Sequence, residues 1–294
     1  MKRKAFTLVE LLVVISIIAI LLAVLMPALG KAKEQAKAVT CVSQKKQWGV
    51  VMTTFTMDND GYFEGGYTDE ATDVVQGWWE LLYPYYKGMP DIIFCSKTAH
   101  DNSKNKANDI TYNVWTRDVR AATGNTLASS TGKIYYGSIG KNTRLVSHVK
   151  QGTDPALYYK KLSDISQTSK VPVFYDSAWM DGYFATENGV ATNYPPPVQG
   201  SFRNDYEVDP AAVDGTGAPY GGCRFTLNRH GSKSTGLTTA VFVDGSARRV
   251  HLKELWVLKW NKTYDIGAKM RLGAWPNWMK SFKDFGTPLN TAAK

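Results

Sequence analysis

MKRKAFTLVELLVVISIIAILLAVLMPALG, residues 1–30, decides how the rest of the chain is read. Three basic residues, Lys2, Arg3 and Lys4, precede a run from Leu11 to Leu29 that is 19 residues without a charge. At about 1.5 Å per residue that run makes roughly 28 Å of helix, enough to cross a hydrocarbon core. The basic residues favour the cytoplasmic side, so everything after Gly30 is expected on the far side of the membrane. One residue breaks this pattern. Glu10 stands at the head of the apolar run, where an acid is costly and is by default a functional residue in need of a partner.

Two plainer readings compete for the same residues. An ordinary secretory signal also has a basic start and an apolar core, and Ala28-Leu29-Gly30 would pass as its cleavage site. Against it, such cores run about 7–15 residues and rarely hold an acid. A plain single-pass anchor would leave Glu10 without a purpose.

The string Ala5-Phe6-Thr7-Leu8-Val9-Glu10 resembles the N-terminal signal of type IV pilins and type II secretion pseudopilins. In that family a prepilin peptidase cuts before the Phe and methylates the new amine. The resemblance therefore implies cleavage between Ala5 and Phe6, N-methylation at Phe6, and a Glu10 that pairs with the free amine of a neighbouring subunit during assembly. The family usually has Gly where this chain has Ala5. Pro27 falls where many pilins carry a helix-loosening proline, in keeping with a proline's missing donor and steric clash.

Beyond the anchor, Lys31 to about Asp58 holds no strong helix breaker until Asp58-Asn59-Asp60-Gly61. Ala38, Cys41, Lys45, Trp48, Met52 and Phe55 recur at three- and four-residue steps, a stripe fit to pack on a sheet and interrupted by one lysine. Asp58-Asn59-Asp60-Gly61 reads as a helix stop and not as a calcium loop, because the twelfth loop position is Asp69 and Tyr62 and Gly66 supply no carboxylate. Four segments follow: a leader at 1–5, a membrane and assembly half-stem at 6–30, an amphipathic half-stem at 31–58, and an exported globular domain at 59–294. The expected fold is α+β and pilin-like, a long N-terminal helix packed on a mostly antiparallel β-sheet.

Within the globular part, Trp78–Tyr86 reads as a short helix or turn ended by Pro84, and Asp91–Cys95 as a strand. Ile110–Trp115, Lys133–Tyr136 and Val171–Ser177 read as further strands, the last buried with an acid at its exit. Residues 185–222, with Pro195-Pro196-Pro197, read as a long surface excursion. Ala240–Val243 reads as a strand turning at Asp244-Gly245 into Arg248–His251.

A second resemblance lies in the interior. Cys41–Gly49 followed by Asp58-Asn59-Asp60-Gly61-Tyr62, the segment from His230 to Asp244-Gly245, and the elements Leu255–Trp260 and Trp275–Met279 are similar to a branch of pilin-like proteins with a C-terminal His…Asp-Gly signature. That signature spaces the two by nine residues, whereas residues 231–243 intervene here.

Composition narrows the function. The formal charge of +9 becomes +6 without Lys2, Arg3 and Lys4, and no basic tract alternates with aromatics, so no nucleic-acid partner is expected. Cys41, Cys95 and Cys223 would meet an oxidising compartment, where three cysteines allow one disulfide in any of three pairings. The resemblance implies Cys41 with Cys95, since the family often carries cysteines at the first two positions. No metal, cofactor or catalytic residue is expected: no cysteine pair has zinc-ligand spacing, no nucleophile motif stands out, and His100, His148 and His251 are not spaced to join His230.

The function that follows is a non-catalytic pilin-like or pseudopilin subunit in the inner (cytoplasmic) membrane, N-terminus inside and domain outside. Its partners would be the prepilin peptidase, sister subunits and the secretion or pilus machinery, with a cell-surface filament as the product. The alternative is a surface glycan-binding protein that uses the stem for export, with Trp275 and Trp278 offering flat faces to a polysaccharide.

Overall fold

The computed structural model describes residues 7–65, 77–98, 115–123, 126–149, 154–177, 181–182, 186–187, 190–191, 202–203, 207–208, 229–230, 236–251 and 253–264. Its architecture is α+β and pilin-like: one long N-terminal helix, and a separate antiparallel sheet against the helix's second half.

Helix α1 runs from Leu8 to Asp58. It starts on a capping box formed by Thr7 and Glu10. The Thr7 hydroxyl accepts from the Glu10 amide at 3.2 Å, and the Glu10 carboxylate accepts from the Thr7 amide at 2.8 Å. Helical assignment continues through Pro27. The helix ends where the acidic-glycine run predicted, with Asp60 at φ 51° and Gly61 at φ 81°, left-handed geometry that glycine adopts without strain.

The two halves of α1 differ in what covers them. Leu8–Leu29 presents large exposed apolar side chains. It belongs to the one helix, among the described residues, that is long and apolar enough to cross a membrane. From Ala38 onward one face is buried: Ala38, Cys41, Lys45, Trp48, Gly49, Val51, Met52 and Thr56. Phe55, expected on that face, is only half-buried and packs on Tyr85 with ring centroids 5.5 Å apart.

That face lies on a sheet of order β11-β10-β4-β3-β5. Its strands are β3 (Ile139–Asn142), β4 (Pro172–Asp176), β5 (Asp181–Gly182), β10 (Leu237–Phe242) and β11 (Ala247–His251). Four are antiparallel, and only the short β5 runs parallel to β3. The β10–β11 turn is the expected Asp-Gly turn, with Gly245 at φ 75° and Asp244 Oδ1 accepting from the Ser246 amide at 2.9 Å. Outside this sheet lie a long hairpin, β1 (Trp115–Thr123) with β2 (Thr126–Gly137), and two short ones. The short pairs are β6 (Thr186–Glu187) with β7 (Val190–Ala191), and β8 (Phe202–Arg203) with β9 (Glu207–Val208).

Trp48 sits at the centre of the core. Its ring meets Phe174 and Tyr86 at 4.8 Å each and Trp78 at 5.3 Å, contacts that add to the burial of a large apolar surface. Gly49, beside it, permits a close approach of helix and sheet. A Cβ there would fall 2.8 Å from Val241 Cγ2.

Two local expectations are corrected. Pro84 does not end a helix: it lies in the first turn of α3 (Tyr83–Tyr86), after α2 (Trp78–Leu81), where a proline's missing donor costs nothing. Asp91–Cys95 is no strand. Pro90–Ile93 forms a 3-10 turn with Ile92 and Ile93 both buried, a continuous apolar pair that strand and turn share. Of the expected strand Ile110–Trp115, residues 110–114 lie outside the described residues.

Candidate functional site

Four distant segments meet where α1 crosses the sheet. The turn at 90–97 is held along the helix by three hydrogen bonds, two donated by the stem and one by the turn. Trp48 Nε1 donates to the Ile92 carbonyl at 2.7 Å, Gln44 Nε2 to the Asp91 carbonyl at 3.3 Å, and Ser96 Oγ to the Lys37 carbonyl at 3.0 Å. Lys97 also pairs with Glu34 of the stem. This docking sets Cys95 on Cys41, with the sulfurs 2.8 Å apart and both thiols buried.

Strand β4 brings Asp176 to the same place, and the turn before β10 brings Arg229 and His230. Lys45, the lysine in the apolar stripe, reaches Asp176 Oδ1 at 2.8 Å, with neither side chain exposed. Asp176 Oδ2 accepts from the Thr239 amide at 2.8 Å and from its hydroxyl at 2.6 Å. Arg229 stands 3.8 Å from Oδ1 and donates to the Ser138 carbonyl at 2.7 Å. His230 Nε2 lies 3.3 Å from Asp176 Oδ2 and 3.2 Å from Cys95 Sγ. Its Nδ1 is buried with no hydrogen-bond partner among the described residues.

The electrostatics follow from this packing. Burial alone would raise the Asp176 carboxyl, yet the charges of Lys45, His230 and Arg229 hold it well below the usual carboxylate range. Burial likewise opposes a charged His230, but Asp176's charge and hydrogen bond prevail and raise it. The hydrogen bond with Cys95, helped by His230, lowers Cys41. Burial and the contact with Cys41 push Cys95 up. The pair is therefore unequal, one sulfur inclined to be a thiolate and the other to keep its proton.

Cys41 Sγ, Cys95 Sγ and His230 Nε2 all lie within 4.8 Å of one another. Spacing along the chain does not reveal this cluster, because the fold brings His230 its two cysteines from residues 41 and 95. His148 lies elsewhere, with Nδ1 3.2 Å from Ser147 Oγ. Asp244, the other half of the His…Asp-Gly segment, serves its own turn and does not meet His230.

Of the residues expected to act in the membrane, Glu10 and Pro27 stand on the exposed apolar half of α1, and the Glu10 carboxylate is held by Thr7. Ala5, Phe6, His100, Cys223, Trp275 and Trp278 lie outside the described residues.

Residues 1–26 match the model of the prokaryotic N-terminal methylation motif. No curated protein and no solved structure matches the chain. The motif supports a type IV pilin-like or pseudopilin subunit, and points to a structural subunit more than to an enzyme. With the exposed apolar half of α1 it fits a membrane-anchored pilin.

Proposed function

We propose that this chain is a non-catalytic subunit of a type IV pilus-like or type II secretion filament, made as a membrane-inserted precursor. A prepilin peptidase removes residues 1–5, and the amine exposed at Phe6 is methylated. Residues 6–30 hold the subunit in the membrane and then pack against the stems of sister subunits in the filament. Residues 31–58 carry the domain 59–294, which stands outside the cytoplasmic membrane. Glu10 neutralises the amine of an adjacent subunit, so the acid and the terminus offset each other's cost in an apolar setting. The stem's Cys41–Gly49 stretch and the segment from His230 to Asp244-Gly245 support reading it as one of the branch that carries that signature.

The observation that supports this reading best is the coincidence of the methylation motif at residues 1–26 with an unburied apolar half-helix headed by a single acid. Mass spectrometry of the mature N-terminus from membranes of the native host tests it. N-methylated Phe6 is the expected result. A chain beginning at Lys31, or one retaining Met1, would overturn the reading.

A further inference from the structure

We infer that Cys41 and Cys95 close into a disulfide that staples the stem to the domain, with His230 as the group that takes and returns the proton of the exchange. Three observations carry it. The sulfurs are already 2.8 Å apart, and a bond requires about 2.05 Å. The docking of residues 91–97 along the stem holds them there through bonds made by other residues. His230 Nε2 stands 3.2 Å from Cys95 Sγ and 3.3 Å from Asp176 Oδ2, so a proton taken up at that nitrogen lies beside the carboxylate that stabilises it.

A metal ion fits the same three ligand atoms less well. Two thiolates bound at about 2.3 Å in tetrahedral array stand roughly 3.8 Å apart. Lys45 and Arg229 already place two cations on Asp176 beside the site.

The exchange balances with a disulfide carrier as oxidant. Cys41 as thiolate receives a hydrogen bond from the Ser96 amide at 3.2 Å and attacks one sulfur of the carrier. The carrier's S–S bond breaks, and its leaving thiolate takes the proton held on His230. Neutral His230 then removes the proton of Cys95, whose sulfur attacks Cys41 Sγ. The Cys41–carrier bond breaks and the second carrier sulfur leaves as a thiolate, which is protonated in turn. Two protein thiols are oxidised and one carrier disulfide is reduced. The burial that slows entry afterwards shields the product from reduction.

The inference rests on the proposed export only for where the bond forms, and a reaction with purified chain tests the site by itself. The full chain in detergent, reduced and carrying Cys223→Ser so that two thiols remain, is exposed to oxidised and reduced glutathione. Closure is followed by acid quenching and thiol labelling. The wild-type site is expected to close as Cys41–Cys95, with its rate near its plateau by pH 7. His230→Gln should slow closure about tenfold or more at pH 7, the lower end of what a positioned acid-base group contributes. Its rate should climb about tenfold per pH unit toward the ordinary thiol range, because solvent must then remove the proton.

The glutathione ratio at half-closure separates chemistry from scaffolding. It should be nearly the same in both proteins. An equal loss of rate and of that midpoint would mean that His230 only holds the sulfurs in place, and would overturn its assigned role. An unchanged rate and pH profile would do so as well. Two thiols that stay open while the chain retains stoichiometric zinc or copper would overturn the disulfide. A chain found by its N-terminus not to be exported would leave the glutathione result standing.

Discussion

Lys45→Met severs the buried pair that joins the stem to strand β4. At 2.8 Å the Lys45–Asp176 attraction amounts to about 6 kcal/mol at an effective dielectric near 20. Removing the ammonium also returns the several kcal/mol spent on desolvating it, so breaking such a pair costs about 3–5 kcal/mol net. Here the orphaned carboxylate keeps Arg229 at 3.8 Å and both donors of Thr239, which puts the cost at the lower end, about 3 kcal/mol. For a domain of this size each kcal/mol moves the thermal midpoint by about 2–4 °C, so a fall of about 6–12 °C is expected. Thermal unfolding of the full chain in detergent, read by tryptophan fluorescence, reports it, since Trp48 is packed one helical turn from Lys45. The neighbouring Lys46→Met is the control, because that side chain is exposed and only donates to the Gly245 carbonyl. Adding Asp176→Asn to Lys45→Met should restore part of the loss by discharging the stranded carboxylate. A Lys45→Met midpoint within about 2 °C of wild type, or a double variant as weak as the sum of the two singles, would refute the argument.

Gly49→Ala should destabilise the domain by about 1–2 kcal/mol in the same thermal assay. The new Cβ, 2.8 Å from a buried Val241 methyl, overpacks by more than the roughly 1 kcal/mol of helix propensity that alanine brings. Stability should also depend on pH at both ends. His230 is raised above its ordinary value near 6.5, so its contribution is complete below that pH and is lost as pH rises through the higher folded value. Asp176 is depressed, so its contribution is complete above about pH 3.9 and is lost as pH falls through the lower folded value. The groups facing this pair are Lys45, Arg229, Cys41 and Cys95, and in reduced chain His230→Gln should flatten the alkaline slope of the denaturation midpoint and only weaken the acid one, because Lys45 and Arg229 still hold Asp176 down. Glu10→Gln should lower recovery of sister subunits in pull-downs from membranes, and equal recovery would remove its assembly role.

Much of the scaffold was legible because it rests on periodicity. The stem stripe from Ala38 to Met52 and the Asp-Gly turn between β10 and β11 follow from spacing and turn chemistry that neighbouring residues settle among themselves. Asp91–Cys95 failed for the opposite reason: its shape is imposed by docking on the stem, and two adjacent isoleucines carry no period. The site was harder still, since residues 41, 45, 95, 176 and 230 meet only in three dimensions. Two signals did stand in the sequence. A lysine in an apolar stripe and an aspartate at the exit of a buried strand each demand an opposite charge once the core closes, and each is the other's answer. The capping box was also readable, as Thr-x-x-Glu ahead of an apolar run.

That cap changes what a test of Glu10 can distinguish. The Thr7 amide and hydroxyl both donate to Glu10 Oε2 at 2.8 Å, so the carboxylate already belongs to its own helix start before any neighbour arrives. There it also lies at the positive end of the helix dipole, a setting that favours an anion. On the proposed reading, a subunit waiting in the membrane keeps its acid without the partner amine, and assembly would add a third donor to a group already held by two. Alanine at this place would remove cap and charge together, and a lost complex would not say which mattered. Glutamine keeps a side-chain oxygen that can accept from the Thr7 amide, as in capping boxes generally, and gives up only the charge. A pull-down that fails with Glu10→Gln thus assigns the failure to the ion pair between subunits and not to an unravelled helix end.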